Sequence, residues 1–240
     1  MPIHADPLRG LVTLGCATVT AVRVLLFDVD GTLIRAGGAG MRAMDDAFHE
    51  IYGVRGAAAA IRPDGMTDPA IVRDMLAAAY QRVPSGGEVE RMLEVYLARL
   101  DERMASADLR VLPGLPAVLD SARARGDLLG LATGNLEAGA RIKLRRAGLD
   151  GYFGFGGFAC DHEDRVLLTR RGVERARERA ADAEVVVIGD TPHDVAAARG
   201  AGARALAVAT GRYTVDELQR TGADAVMATL EGLDGVLAAL

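Results

Sequence analysis

The stretch Val24-Leu25-Leu26-Phe27-Asp28-Val29-Asp30-Gly31-Thr32-Leu33 decides how this chain folds. An apolar strand runs straight into two aspartates one residue apart, and a glycine follows. Turns also favour Asp and Gly, but a buried strand gains nothing from two like charges at its tip. Close carboxylates repel each other, and burial penalises both. A compensating cation is expected there, and a hard, oxygen-seeking ion such as Mg²⁺ suits carboxylates best.

The rest of the chain has ordinary globular composition. Half of its 240 residues are hydrophobic, a quarter are charged, and the formal net charge is −5. The length suits one large domain, or a core with a smaller partner. Aromatics make up 4% and Trp is absent, so the core must be aliphatic. Mild acidity argues against a nucleic-acid or anionic-membrane partner, which would demand a basic surface. The basic runs Arg141–Arg146 and Arg170–Arg179 read as solvated helix faces, the second interleaved with Glu174 and Glu178. Two cysteines, Cys16 and Cys160, provide no disulfide framework and no metal-ligand spacing. They read as buried small hydrophobes in a reducing, cytoplasmic setting. Residues 1–20 read as an N-terminal extension. The apolar run Leu11–Val22, which overlaps it, is too short to span a bilayer and lacks the basic start of a signal peptide.

Short apolar runs alternate with helical patterns over most of the chain. Strands are expected at Val22–Phe27, Leu128–Ala132, Val185–Ile188, Ala205–Ala209 and Ala225–Met227. None shows strict alternation, as befits strands covered on both faces. This is the pattern of an α/β, Rossmann-like parallel sheet with crossover helices, which binds ligands at the carboxyl ends of its strands. Between Gly37 and Leu112 the pattern is helical without a strand. Ala43, Ala47, Phe48 and Ile51 recur at helical spacing, and a further helix starts near Glu88. Asp68-Pro69 reads as an N-cap followed by a first-turn proline. The organisation is therefore a sheet core, residues 21–37 and 110–240, with an inserted helical cap over 38–109. Gly37, Gly38 and Gly40 would form one connection, and Leu109–Gly114 the other.

Three more sites join the aspartate pair. Thr133-Gly134-Asn135 follows a strand, where a hydroxyl and exposed N–H groups can hold phosphate oxygens. Arg165 and Lys143 are candidate cations. Asp190 closes a strand in Gly189-Asp190-Thr191-Pro192-His193-Asp194. There Thr191 is placed to cap a helix with Pro192 at its first position, which accounts for Asp194 but leaves Asp190 unexplained. Gly151–Phe158 reads as a loop with a short edge strand.

In order and spacing, these motifs resemble the haloacid dehalogenase superfamily of aspartate-nucleophile phosphatases, with a helical cap most like that of phosphoglycolate-phosphatase-type members. The resemblance implies that Asp28 attacks phosphorus and forms an aspartyl-phosphate. Asp30 then protonates the leaving alkoxide and later deprotonates water. Mg²⁺ would be bound by Asp28, the Asp30 carbonyl and Asp190, with Asp194 assisting. Thr133, Gly134, Asn135 and a cation would hold phosphate oxygens, and Asp68 in the cap would contribute substrate specificity. The family's usual Lys-Pro third motif is absent. Arg165 lies nearest to its place and a guanidinium can hold phosphate bidentately, while Lys143 lies one helix earlier.

The expected activity is Mg²⁺-dependent hydrolysis of a small phosphorylated metabolite, phosphoglycolate-like esters included, by a monomer or homodimer. Asp30 argues against a dehalogenase, whose halide leaving group needs no proton. The lack of any lysine from Gly37 to Arg110 argues against a phosphonate hydrolase that recruits a cap lysine. A phosphomutase uses the same aspartates and stays the alternative. A non-catalytic phosphate-binding module would have lost a carboxylate, and none is lost.

Overall fold

The computed structural model describes residues 22–240. The readings of residues 1–20 and of Cys16 lie outside them. In chain order the main elements begin with β1 (Arg23–Phe27), β2 (Ile34–Arg35), α1 (Ala39–Tyr52), α2 (Asp68–Tyr80), α3 (Gly86–Ala105) and β3 (Arg110–Val111). There follow α4 (Leu115–Ala124), β4 (Leu128–Ala132), α5 (Glu137–Arg146), β5 (Gly156–Gly157), α6 (Arg165–Arg179) and β6 (Glu184–Gly189). The chain ends with α7 (Pro192–Gly200), β7 (Arg204–Val208), α8 (Val215–Gln219), β8 (Ala225–Met227) and α9 (Leu233–Ala239).

Six strands form one parallel sheet in the order β5-β4-β1-β6-β7-β8. Val24 to Phe27 are all fully buried, because helices cover both faces of the central strand β1. One face packs Leu25, Phe27, Leu119, Leu144, Ile188 and Leu206 into a cluster. The other packs Val24, Leu26, Val173, Val187 and Ala198. The chain runs outward from β1 to β4 and β5, then returns past β1 to β6. Neighbouring loops therefore diverge at the carboxyl end of β1, where such sheets leave a crevice.

α1, α2 and α3 leave the sheet after β2 and return through β3. They bury a core of their own, with Met44, Phe48, Met75, Met92, Tyr96 and Leu100 each at most 1% exposed. The expected all-helical stretch ends differently in detail: Arg110–Val111 forms a two-residue strand paired antiparallel with Ile34–Arg35. Both connections of the insert thus leave through one small ladder. Gly40 belongs to the first turn of α1 rather than to a connection.

The expected strands fall within one residue of their observed bounds, and β5 is the short edge strand. α6 starts at Arg165, earlier than its basic outer face alone signals, because Asp164 caps it by accepting from the Val166 and Leu167 N–H groups. Cys160 is exposed, against expectation, since it lies in a turn beyond β5 rather than on a packed face. No helix of the described residues is long and apolar enough to cross a membrane.

Leu25 is fully buried at the centre of β1. Leu25→Ala should cost about 2–5 kcal/mol through lost burial and a cavity. Chemical denaturation measures this, and a change below about 1 kcal/mol would contradict the packing described.

Candidate active site

Strand register gathers the motif residues at one edge. Phe27 lies opposite both Leu131 and Ile188. Asp28, Thr133 and Asp190 therefore emerge side by side, within two residues of those partners. The turn after Asp28 is anchored by fully buried Val29 and Leu33 and closed by the Gly31 N–H on the Ile34 carbonyl at 2.8 Å. Gly31 has φ +87°, and a Cβ there would stand 2.5 Å from an Asp190 oxygen, so only glycine fits on both counts. Thr32 donates to Asp190 Oδ1 at 2.9 Å. Thr210 donates to the Gly31 carbonyl at 2.6 Å and fixes the same turn from the loop after β7.

Asp28, Asp190 and Asp194 each present an oxygen within 4.8 Å of the others, and all three residues are buried. Burial, opposed by Arg165 and reinforced by Asp194 and Asp30, pushes the Asp28 carboxyl up to about 7. Burial, together with Asp28 and Asp194, pushes Asp190 up to about 8. The Asp30 carbonyl stays out of the local ladder, which uses the Val29 carbonyl and the Gly31 N–H. A set of crowded, hard oxygen donors with unfavourable charge fits a hard divalent cation such as Mg²⁺.

The two candidate cations serve different aspartates. Arg165 Nη2 lies 3.1 Å from Asp28 Oδ1 and 2.5 Å from Asp194 Oδ1. Its Nη1 also donates to the Gly65 carbonyl of the insert at 3.2 Å. The other Asp194 oxygen accepts from the Thr191 N–H at 2.9 Å and hydroxyl at 2.7 Å, the reciprocal cap expected at the start of α7. Asp194 is thus both a capping residue and the fixed partner of Arg165.

Lys143 is the single lysine in a chain with 28 Lys and Arg. Its ammonium is 2.5 Å from Asp30 Oδ2 and 2.7 Å from Asn135 Oδ1, with a side chain only 5% exposed. Asp30 also accepts from Asn135 Nδ2 at 2.9 Å. Desolvation raises the Asp30 pKa, but Lys143, Asn135 and Arg165 outweigh it and hold the carboxyl below its ordinary value. Thr133 Oγ1 accepts from Asn135 Nδ2 at 2.8 Å, which leaves its own proton free to donate.

Asp68 departs from expectation. The N-cap of α2 is Thr67, whose side chain makes no cap bond, and Asp68 is the first helical residue. Its carboxylate reaches away from its own helix and accepts from the Leu136 N–H at 2.8 Å. Its N–H donates to the Gly134 carbonyl at 2.7 Å. Burial pushes this carboxyl up to about 6, against the opposing charge of Lys143. A Cβ on Gly134 would overlap the Met66 carbonyl, so the insert lies directly on that loop. His193 is exposed and packs against Gly65. The insert also meets the core through Arg73–Glu163 at 2.7 Å and Arg212–Asp64 at 3.0 Å. These solvated pairs are each worth roughly 0–1 kcal/mol.

Between insert and sheet lies a cavity of about 470 Å³. Asp28, Asp30 and Asn135 line it from the core, and Met41, Met44 and Tyr96 from the insert. Sequence reasoning gave no role to Thr32, Thr210 or Tyr96, whose partners come from distant elements. The solitary lysine was the available signal that Lys143 is special.

Residues 22–202 match the family model of the haloacid dehalogenase-like hydrolases. The chain belongs to that family. Over 137 residues it is 30% identical to the probable phosphatase IndB of Dickeya dadantii (strain 3937), covering 54% of this chain and 57% of that one. The chain therefore spans just over half the length of that relative. A hydrolase from Pseudomonas syringae superposes with a TM-score of 0.69 at 24% identity, covering 89% of this chain and 99% of the other. A protein from Haemophilus somnus 129pt, described as a predicted phosphoglycolate phosphatase, superposes with a TM-score of 0.69 at 14% identity, covering 90% and 98%.

The crowded carboxylates make a pH prediction. Asp28 and Asp190 are both raised above their unfolded value of 3.8, so folding takes up protons. Their favourable contribution is full below about pH 4 and is lost as pH rises through about 7 and 8. In EDTA, the melting temperature should fall between about pH 5 and 8, and Mg²⁺ should restore it at the upper end. A flat profile unaffected by Mg²⁺ would contradict the cluster's charge balance.

Proposed function

We propose that this chain is a Mg²⁺-dependent phosphatase that hydrolyses a small phosphorylated metabolite through an aspartyl-phosphate on Asp28. The supporting observation is the placement of the buried Asp28–Asp190–Asp194 cluster beside a second, cavity-facing aspartate, Asp30. In this reading residues 21–37 and 110–240 are the catalytic core, and 38–109 cap it.

An Asp28 oxygen attacks phosphorus, and the bond from phosphorus to the ester oxygen breaks. Asp30 gives that oxygen a proton as it leaves. Asp30 then takes a proton from water, whose oxygen attacks the phosphoryl group and frees the Asp28 carboxylate. The pairing with Lys143 favours the ionised form of Asp30, which suits the second step. The first step draws on the fraction of Asp30 that carries a proton, and the proton taken from water in the second step regenerates that form, so the cycle balances. Thr133 and Arg165 hold phosphate oxygens, with the Gly134–Asn135 backbone beside them. Lys143 is assigned to Asp30 rather than to phosphate, because both its short contacts are to Asp30 and Asn135. Asp28, Asp190 and the Asp30 carbonyl, with Asp194 adjacent, would hold Mg²⁺, which offsets repulsion between nucleophile and phosphate and the charge that develops on the transferred group.

Asp28→Asn should reduce phosphate release to background while the protein remains folded. Near-normal turnover would sink the mechanism. Asp30→Ala should slow cleavage of an alkyl phosphate by about 10²–10⁴-fold and spare the first step with a nitrophenyl ester, whose leaving group needs little protonation. Equal first-step losses would remove Asp30 from the acid role. EDTA should abolish activity and Mg²⁺ recover it. Steady release of inorganic phosphate, rather than its return to an acceptor alcohol, separates this reading from a phosphomutase.

A further inference from the structure

We propose that Asp68 is a positioning residue: from the insert, it caps the N-terminus of α5 in the core and so makes the setting of Asp30 depend on a seated insert. This rests on the phosphatase reading for its catalytic consequence, though not for the contact itself.

A helix N-terminus leaves backbone N–H groups without intrahelical partners, and a side-chain oxygen just before the helix usually takes one. The residue at that place in α5 is Leu136, which has no side-chain acceptor. Asp68, from another element, takes the open N–H of Leu136 itself, with Oδ2 at 2.8 Å, the bond that a third-residue side chain makes in a capping box. A carboxylate there is also favoured by the helix dipole. The fit is close, because Asp68 is only 6% exposed and its own N–H is held by the Gly134 carbonyl. The buried Tyr96 hydroxyl, also from the insert, lies against the same carboxylate.

What α5 carries gives the contact its consequence. Lys143 lies two turns into that helix and bonds Asp30 and Asn135. The loop leading into α5 supplies Thr133, Gly134 and Asn135. An insert lifted away would take the cap of α5 with it and loosen both the phosphate loop and the partner of Asp30. Chemistry would then be favoured only when the insert covers the cavity. The ordinary alternative is that Asp68 touches substrate directly.

Two variants and an amide measurement separate these roles. In the substrate-free protein, backbone-amide hydrogen exchange followed by NMR should show Leu136 protected. Asp68→Ala should speed its exchange at least about tenfold, as loss of a charge-assisted hydrogen bond implies, with β1 and β6 amides unchanged. Asp68→Asn keeps an acceptor oxygen and should retain most of the protection, since Asn caps about as well as Asp. With p-nitrophenyl phosphate, kcat/KM should follow the same order: reduced about tenfold or more in Asp68→Ala and largely recovered in Asp68→Asn. Unchanged Leu136 exchange in Asp68→Ala would overturn the proposal, as would an Asn variant as impaired as the Ala variant. A wild-type protein inactive on every phosphate ester would defeat the phosphatase reading alone, because the exchange result still decides the contact.

Discussion

The structure depends on keeping several carboxylates together at the tip of a parallel sheet, where water cannot fully screen them. Parallel strands in register bring the Asp28 and Asp190 backbones side by side, and Asp194 follows from the first turn of α7. Like charges in such a place must be protonated, paired or bound to a cation. The protein supplies one cation itself, Arg165, and clamps it with Asp194. One guanidinium facing three carboxylates leaves excess negative charge. That excess suits a hard divalent ion and, with burial, opposes the charged form of Asp28.

Around this centre the charges are arranged in separate pairs. Arg165 answers Asp28 and Lys143 answers Asp30, although the two aspartates are one residue apart. The separation allows different duties. Asp28 is buried against the acidic cluster, where its charge is opposed. Asp30 faces the cavity and is held ionised by an ammonium. In an arginine-rich chain, a lone lysine at this point is informative, because a compact ammonium reaches a carboxylate and an amide oxygen together without the width of a guanidinium.

Much of this was legible in the sequence because it is local. The apolar run before Asp28, the strand ending at Asp190 and the Thr191–Pro192–Asp194 helix start are set by a few adjacent residues. Buried parallel strands without alternation also announced the sheet. What could not be read depends on distant segments meeting. Asp68-Pro69 looks like a local cap, and the rule for such dipeptides says so, yet the helix begins one residue earlier and the carboxylate serves a different helix. Cys160 follows the same logic: the apolar character of a thiol was outweighed by its place in a turn. Spacing alone could not separate Arg165 from Lys143 either; the fold sets Arg165 beside Asp28 and Lys143 beside Asp30.

The central claim is that Asp28 becomes covalently bonded to phosphorus. The direct test is to quench the turning-over enzyme in acid and map the phosphoryl group by mass spectrometry, with hydroxylamine to cleave an acyl phosphate. The account predicts one added phosphoryl group on the peptide containing Asp28, removed by hydroxylamine and absent from Asp28→Asn. A phosphoryl group on any other residue, or an enzyme that turns over without one under conditions where the adduct survives, would contradict it.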